Sequence, residues 1–111
     1  MRIVPLAEQA APLRAAYGLV YRPAAIPAGT YGSAESVGTV AIPDLVVCGP
    51  GTPAPVVRAV VGALFDGRAA IARTVPAADA LDRRSAIETD PVPLHPAAAA
   101  WFRERKAYAQ R

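Results

Sequence analysis

The stretch from Ala25 to Gly49, AIPAGTYGSAESVGTVAIPDLVVCG, most restricts how this chain can fold. Its first part, Ile26 to Ser33, is rich in breakers. Pro27 fixes φ and removes a donor, and Gly29 and Gly32 are free to take positive φ. Val37 to Val47 is then β-branched and apolar, interrupted by Pro43-Asp44. A proline inside a strand belongs at a sheet edge or where the strand changes partners. The stretch therefore predicts a flexible turn feeding a crossover strand that passes between two packing environments.

Around it, 111 residues are enough for a single domain over 1–111 with a modest core. The hydrophobic fraction is 53% but the aromatic fraction only 6%, so small Ala and Val side chains must supply much of the buried area. A formal charge of +3 is too mild to imply nucleic acid. Eleven of the twelve basic residues are Arg, which beside so much Ala reads as coding bias more than as a phosphate site. Cys48 is the only cysteine, so it forms no disulfide within the chain, and at the end of an apolar run it reads as a buried, inert thiol. No segment is long and apolar enough to span a bilayer. MRIVPLAEQA has no h-region and is not a secretory signal.

In chain order, Arg2 to Leu6 is a short strand candidate limited by Pro5. Leu6, Ala10, Leu13 and Tyr17 then share one face of a helix over Ala7–Tyr17, which starts near Pro12 or is kinked there and stops at Gly18. Leu19-Val20-Tyr21 begins a second extended piece. Thr52-Pro53 reads as an N-cap followed by a first-turn proline. The helix beyond it carries Val57, Val60, Val61, Leu64 and Phe65 as one apolar stripe. Val75 to Leu81 reads as one or two helical turns. Asp90 to Pro96, with three prolines, reads as extended and polyproline-like. A final helix from Ala97 to about Gln110 sets Ala98, Trp101, Phe102, Arg105 and Tyr108 on one side. Arg103, Arg105, Lys106 and Arg111 form its basic end, as a helix dipole favours.

Four blocks in this order, IPAGTY at Ile26–Tyr31, TVAIPDLVV at Thr39–Val47, ALF at Ala63–Phe65 and PLHPAAAAWFRE at Pro93–Glu104, together resemble one family. It is the TAXI-type solute receptors of tripartite ATP-independent periplasmic (TRAP) transporters. The resemblance covers nearly the whole chain but only the last third of such a receptor. Where the family has Pro-Gly after the Tyr this chain has Gly32-Ser33, and Ala97 stands where the family has Gly. The resemblance implies an α/β fold, part of a type II-like periplasmic binding protein: a C-terminal portion with crossover strand and terminal helix, its first lobe missing. It further implies a non-enzymatic, extracytoplasmic protein. Such a protein would hold a small organic solute, an amino acid or dicarboxylate, between lobes that close about a hinge, and pass it to a membrane permease.

The residues themselves allow two readings of Thr30 and Tyr31. Either they contact a ligand from the loop, or Tyr31 packs over the turn while Thr30 bonds the local backbone. Ser33 and Tyr21 are further ligand candidates, Tyr21 with a core role as its alternative, and Arg22 is a candidate counter-charge for a carboxylate. His95, the only histidine, lacks partners at metal spacing and reads as a helix cap or packing residue. No carboxylate pair, nucleophile with base, or phosphate loop occurs, so neither catalysis nor a metal or other cofactor is expected. Without its facing lobe the chain is expected to bind solute weakly or not at all. A second function class stands beside this one: a small interaction protein that pairs with itself or with a separately encoded lobe.

Overall fold

The computed structural model describes residues 2–109, with side chains placed as far as Lys106. The expected helix end at Gln110, the side-chain place of Tyr108, and Arg111 all lie outside the described residues. The chain divides into two compact units, Met1–Leu45 and Val46–Arg111. Helices occur with one two-stranded sheet, which is compatible with part of an α/β binding protein.

In the first unit residues 2–6 form no strand, contrary to expectation. Pro5 has no N–H to donate, and the segment is held by a single ladder-like bond, Leu6 N–H to the Gly38 carbonyl at 2.9 Å. A 3₁₀ turn, Ala7–Gln9, leads into helix α1, Ala10–Tyr17. Pro12 falls in the first turn of α1, where a missing N–H costs nothing, so the helix starts near it and needs no kink. The apolar face buries Ala10 and leaves Leu6 and Tyr17 exposed. Leu19 and Val20 form a turn in place of the expected extended piece, and strand β1, Arg22–Ile26, begins after Tyr21.

Strand β1 pairs antiparallel with β2, Val37–Ala41, in a register running from Arg22↔Ala41 to Ile26↔Val37. This corrects the crossover strand expected over Val37–Val47. Only its first five residues are strand, the pairing is that of consecutive strands in a hairpin, and Ile42–Gly49 has no regular structure. Pro43 cannot donate to a ladder, and pairing stops just short of it. Ile42, Val46 and Val47 are consequently exposed, Val46 at 78%. Cys48 is exposed as well, not buried, because no strand carries it into a core. Pro23 is tolerated in β1 because each strand of a two-stranded sheet keeps an outer edge. Gly38 allows the turn at Ala7 to lie directly on β2: a Cβ there would sit 2.7 Å from the Ala7 Cβ.

The second unit is built on two helices, α2, Ala54–Asp66, and α4, Pro96–Ala109. Pro53 occupies the N-cap of α2, with Pro55 in the first turn, so the expected Thr52 cap lies one residue too early. The stripe of α2 turns Val57 fully inward and Val61, Leu64 and Phe65 partly so, while Val60 stays exposed. Gly67 ends α2, and a short α3, Arg68–Ala72, follows. The uncertain region beyond it is 3₁₀: Pro76–Ala80 and Ser85–Ile87. Residues 89–92 form a turn, not an extended arm. Val92 N–H donates to Thr89 O at 2.8 Å, the Thr89 hydroxyl donates to Val92 O at 2.7 Å, and the Asp90–Pro91 peptide is cis. Residues 93–95 have no regular structure before α4 begins.

The core of this unit is Val57, Ala97 and Ala98, with Val61, Leu94 and Phe102 against it. Trp101, 6% exposed, joins Phe65 and Phe102 in a cluster with ring centroids 5.3–5.6 Å apart. Offset and edge-on contacts of this kind add to area burial. The alanines at Ala97 and Ala98 let α4 approach α2 closely. Across the outer rim Arg58 grips Glu104 with both nitrogens, at 2.6 and 3.2 Å, and Arg105 reaches Asp66 at 2.7 Å.

His95 ties the starts of both helices together. Ala97 N–H donates to its Nδ1 at 3.1 Å, capping α4, and its Nε2 lies 3.2 Å from the Thr52 carbonyl ahead of α2. A carbonyl only accepts, so Nε2 is the donor in this contact and Nδ1 the acceptor in the other. The cap role expected for this residue is the one it has.

Candidate functional site

The loop between β1 and β2 is where the sequence places its candidate ligand residues, and its geometry follows from the breakers there. Gly29 at φ 86° and Gly32 at φ 76° adopt the left-handed conformation that glycine enters without a Cβ penalty. Gly29 N–H donates to Ser33 O at 2.7 Å and Ser33 N–H returns to Thr30 O at 3.1 Å, closing a tight 3₁₀ turn over Thr30–Gly32. Inside that turn Tyr31 is also left-handed, at φ 53°. A non-glycine residue pays about 1–2 kcal/mol for that conformation. Such strain, held by the surrounding turn, is a feature of binding sites more than of plain connections.

The turn presents Tyr31 outward. The residue is 68% exposed. Tyr31 and Ser33 line one open cavity of about 540 Å³, with the following residues as far as Gly38 and with Arg2, Ile3 and Pro5 from the N-terminal segment. That volume is within the range of small-molecule sites. The Ser33 hydroxyl donates to Thr30 O at 3.0 Å, so it holds the turn and its oxygen remains free to accept.

The remaining candidates are not brought to this cavity. Thr30 is half-buried, and its carbonyl, not its side chain, does the local bonding. Tyr21 and Arg22 stand at the opposite end of the hairpin, since Arg22 pairs with Ala41 while the loop follows Ile26. There the Tyr21 carbonyl accepts from Arg14 Nη1 at 3.0 Å, and its ring lies 6.2 Å from that of Tyr17. Tyr21 is half-buried, between its two expected roles.

Two charged residues that sequence reasoning passed over complete the site. Arg2 and Glu35 both line this cavity, whereas Arg22 does not. No strand motif singles out Arg2. Its place depends on the Leu6–Gly38 bond that lays the N-terminal segment beside β2. Glu35 lies in the polar approach to β2, where the only sequence signal is its position just after the turn. The site thus offers a cation, an anion, a phenol ring and the Ser36 hydroxyl against the apolar walls of Ile3, Pro5 and Val37. A guanidinium pairs with a carboxylate through two parallel bonds, and a carboxylate accepts from an ammonium. The arrangement suits a small zwitterion.

Among the described residues no group of three His, Cys, Asp or Glu side chains is placed to hold a metal, and no helix is long and apolar enough to cross a membrane.

Comparison with known proteins gives one match. The model of the NMT1-like family fits residues 2–105. No curated protein and no solved structure matches the chain.

Proposed function

Because the chain belongs to the NMT1-like family, a family of solute-binding type, we propose that it holds a small zwitterionic or carboxylate solute at the cavity beside Tyr31. The observation that carries this reading is the convergence of Arg2 and Glu35 on one cavity with the strained, outward Tyr31. Arg2 takes the solute carboxylate, Glu35 its ammonium, and the Tyr31 ring covers its apolar part. An amino acid meets all three, and a dicarboxylate meets only the first. Binding occurs without chemistry.

In its finer form the protein is a TAXI-type receptor of a TRAP transporter, acting outside the cytoplasm and delivering solute to a membrane permease. The four ordered sequence blocks from Ile26 to Glu104 support that assignment. A facing lobe would close over Tyr31 about a hinge, and closure would raise affinity by desolvating the ion pairs.

The test is an NMR titration of the chain with leucine and with glutarate. Millimolar binding of leucine, shifting the amides of Tyr31 to Gly38 and abolished by Arg2→Ala, is expected for an uncovered site. Shifts confined to other residues, or none at all, would reject the reading.

A second reading, an interaction module that pairs with itself or with a separate lobe, is favoured by the exposed Ile42, Val46 and Val47 on unpaired backbone. Apolar side chains beside free N–H and C=O groups attract a further strand. Light scattering separates the two: a strict monomer over a wide concentration range weighs against self-pairing.

A further inference from the structure

The hairpin of the first unit has two outer edges, and they differ. In an antiparallel pair, residues alternate between those that bond across the ladder and those whose N–H and C=O point away from it. The Gly38 carbonyl accepts from Leu6 and not from β1, so Gly38 is of the outward kind. Two residues on, Val40 is outward as well, and it stands opposite Pro23, which has no N–H to give the ladder. The two observations agree on one phase. Val37, Thr39 and Ala41 bond to β1, whereas Gly38 and Val40 on one strand and Pro23 and Ala25 on the other face out.

The outer edge of β1 is thus blunted by Pro23. That of β2 is open. The N-terminal segment takes Gly38 and runs back from Leu6 toward the loop, where Arg2, Ile3 and Pro5 line the cavity with Tyr31. Beyond Gly38, the backbone groups of Val40, Ile42 and Asp44 bond to no other backbone among the described residues. By the same alternation Pro43 has the inward phase. Its missing N–H ends the pairing with β1 and leaves the outer edge intact. Nothing guards that edge: residues 40–42 carry no charge, and Ile42 is 62% exposed.

We propose that residues 40–44 pair antiparallel with the same residues of a second copy, about a two-fold axis at Ile42, joining two hairpins into one four-stranded sheet. This rests on the self-pairing reading above and names its surface. Centring the pair on Ile42 keeps both copies clear of Gly38, whose carbonyl Leu6 already holds. Ile42 then meets Ile42 of the copy and Val40 meets its Asp44, so outward residues face outward residues at every step. A β-branched pair lies at the centre and no like charges are opposed. Such self-complementarity is what a two-fold interface requires. A second copy also supplies what the hairpin lacks, since two strands alone are marginal in water. Surface is available for it. The chain exposes 8316 Å², about 1,300 Å² more than two compact units of its size would, and a standard interface takes about 800 Å² from each partner.

The experiment joins sedimentation over a wide range of concentration to amide hydrogen exchange read by NMR on the full chain. Thr39 and Ala41 amides should be protected at every concentration. Those of Val40, Ile42 and Asp44 should gain protection only as the dimer fills. Ile42→Pro removes one outward N–H from each copy and should weaken the dimer at least about tenfold, while protection at Thr39 and Ala41 shows that the hairpin persists. Ile42→Val, which keeps the N–H and the branch, should dimerise as the wild type does. A dimer with no added protection at 40, 42 and 44, or an Ile42→Pro dimer as tight as the wild type, would overturn this edge and leave self-pairing to another surface. A strict monomer would overturn both. The wild-type exchange pattern decides the matter even where a variant fails to fold, and leucine-induced shifts at 31–38 report on the solute site independently.

Discussion

Two residues of the first unit sit where their neighbours force a cost or forbid a substitution. Tyr31 is left-handed inside a closed turn, and asparagine tolerates that region far better than an aromatic residue. Tyr31→Asn should therefore raise stability by about 0.5–1 kcal/mol in urea melts while weakening solute binding. A variant losing both would mean that the ring supports the turn and is no ligand contact. Gly38 is the converse case. Its φ is ordinary, so the constraint is space alone: a Cβ there meets the Ala7 Cβ at 2.7 Å. Gly38→Ala should cost about 1–3 kcal/mol by overpacking and should lift the N-terminal segment off β2, taking Arg2 from the cavity. The urea midpoint measures the first effect, and loss of leucine-induced shifts at 31–38 measures the second.

The elements of the second unit are joined through their ends and rims, and each joint has a signature. His95→Ala removes both the α4 cap and the bond to Thr52 O, and should destabilise by about 1–2 kcal/mol. His95→Asn, which keeps a capping acceptor, should cost less. The Arg58 guanidinium, bonded to both Glu104 oxygens, holds that carboxyl below the ordinary glutamate range and is itself raised in turn. A carboxyl whose folded pKa is depressed contributes stability that is present above its unfolded value and is lost as pH falls through the folded one. Urea midpoints measured from neutral pH downward should thus begin to drop near the ordinary glutamate range. The drop should be shallower in Glu104→Gln, and the effect small, since the pair is solvent-exposed. This unit was also the more legible in the sequence. The stripe from Val57 to Phe65, the proline that opens α4 and the cap role of His95 are local signals, and local signals survive into the fold. The crossover strand failed for the opposite reason. Val37 to Val47 is strand-like on both sides of Pro43-Asp44, but pairing is decided by whether a partner exists, and β1 is only five residues long with Pro43 barring extension. That Tyr31 and Ser33 stand at a tight turn was readable from the glycines around them. Arg2 and Glu35 were not, because a contact between residues 2–5 and 31–38 depends on tertiary placement that no periodicity encodes.

At the scale of the molecule the surface is too large for what it encloses. The chain exposes 8316 Å². A compact monomer of its 11.5 kDa would expose about 5,800 Å². Even two separately compact units of 45 and 66 residues, as the chain divides, would expose only about 7,000 Å² between them. The difference is therefore not a matter of how the units are arranged. It reflects how little each encloses: among the described residues no side chain falls below 2% exposure, and Ala10 is the only buried one in the first unit. A standard interface covers about 800 Å² of each partner, so the excess of about 1,300 Å² over the two-unit figure is more than one such interface would cover. The exposed apolar side chains of Ile42, Val46 and Val47 are the natural part to be covered first. Two measurements follow from this. The urea m-value should fall below that of other proteins of this length, because m scales with the surface newly exposed on unfolding and much of it is exposed already. Ile42→Asp combined with Val46→Asp should leave that m-value unchanged, since neither side chain is buried, while abolishing any concentration-dependent association seen by sedimentation. An m-value typical of a 111-residue globular domain would mean that the free chain buries this surface on itself, and the case for a covering partner would then fail.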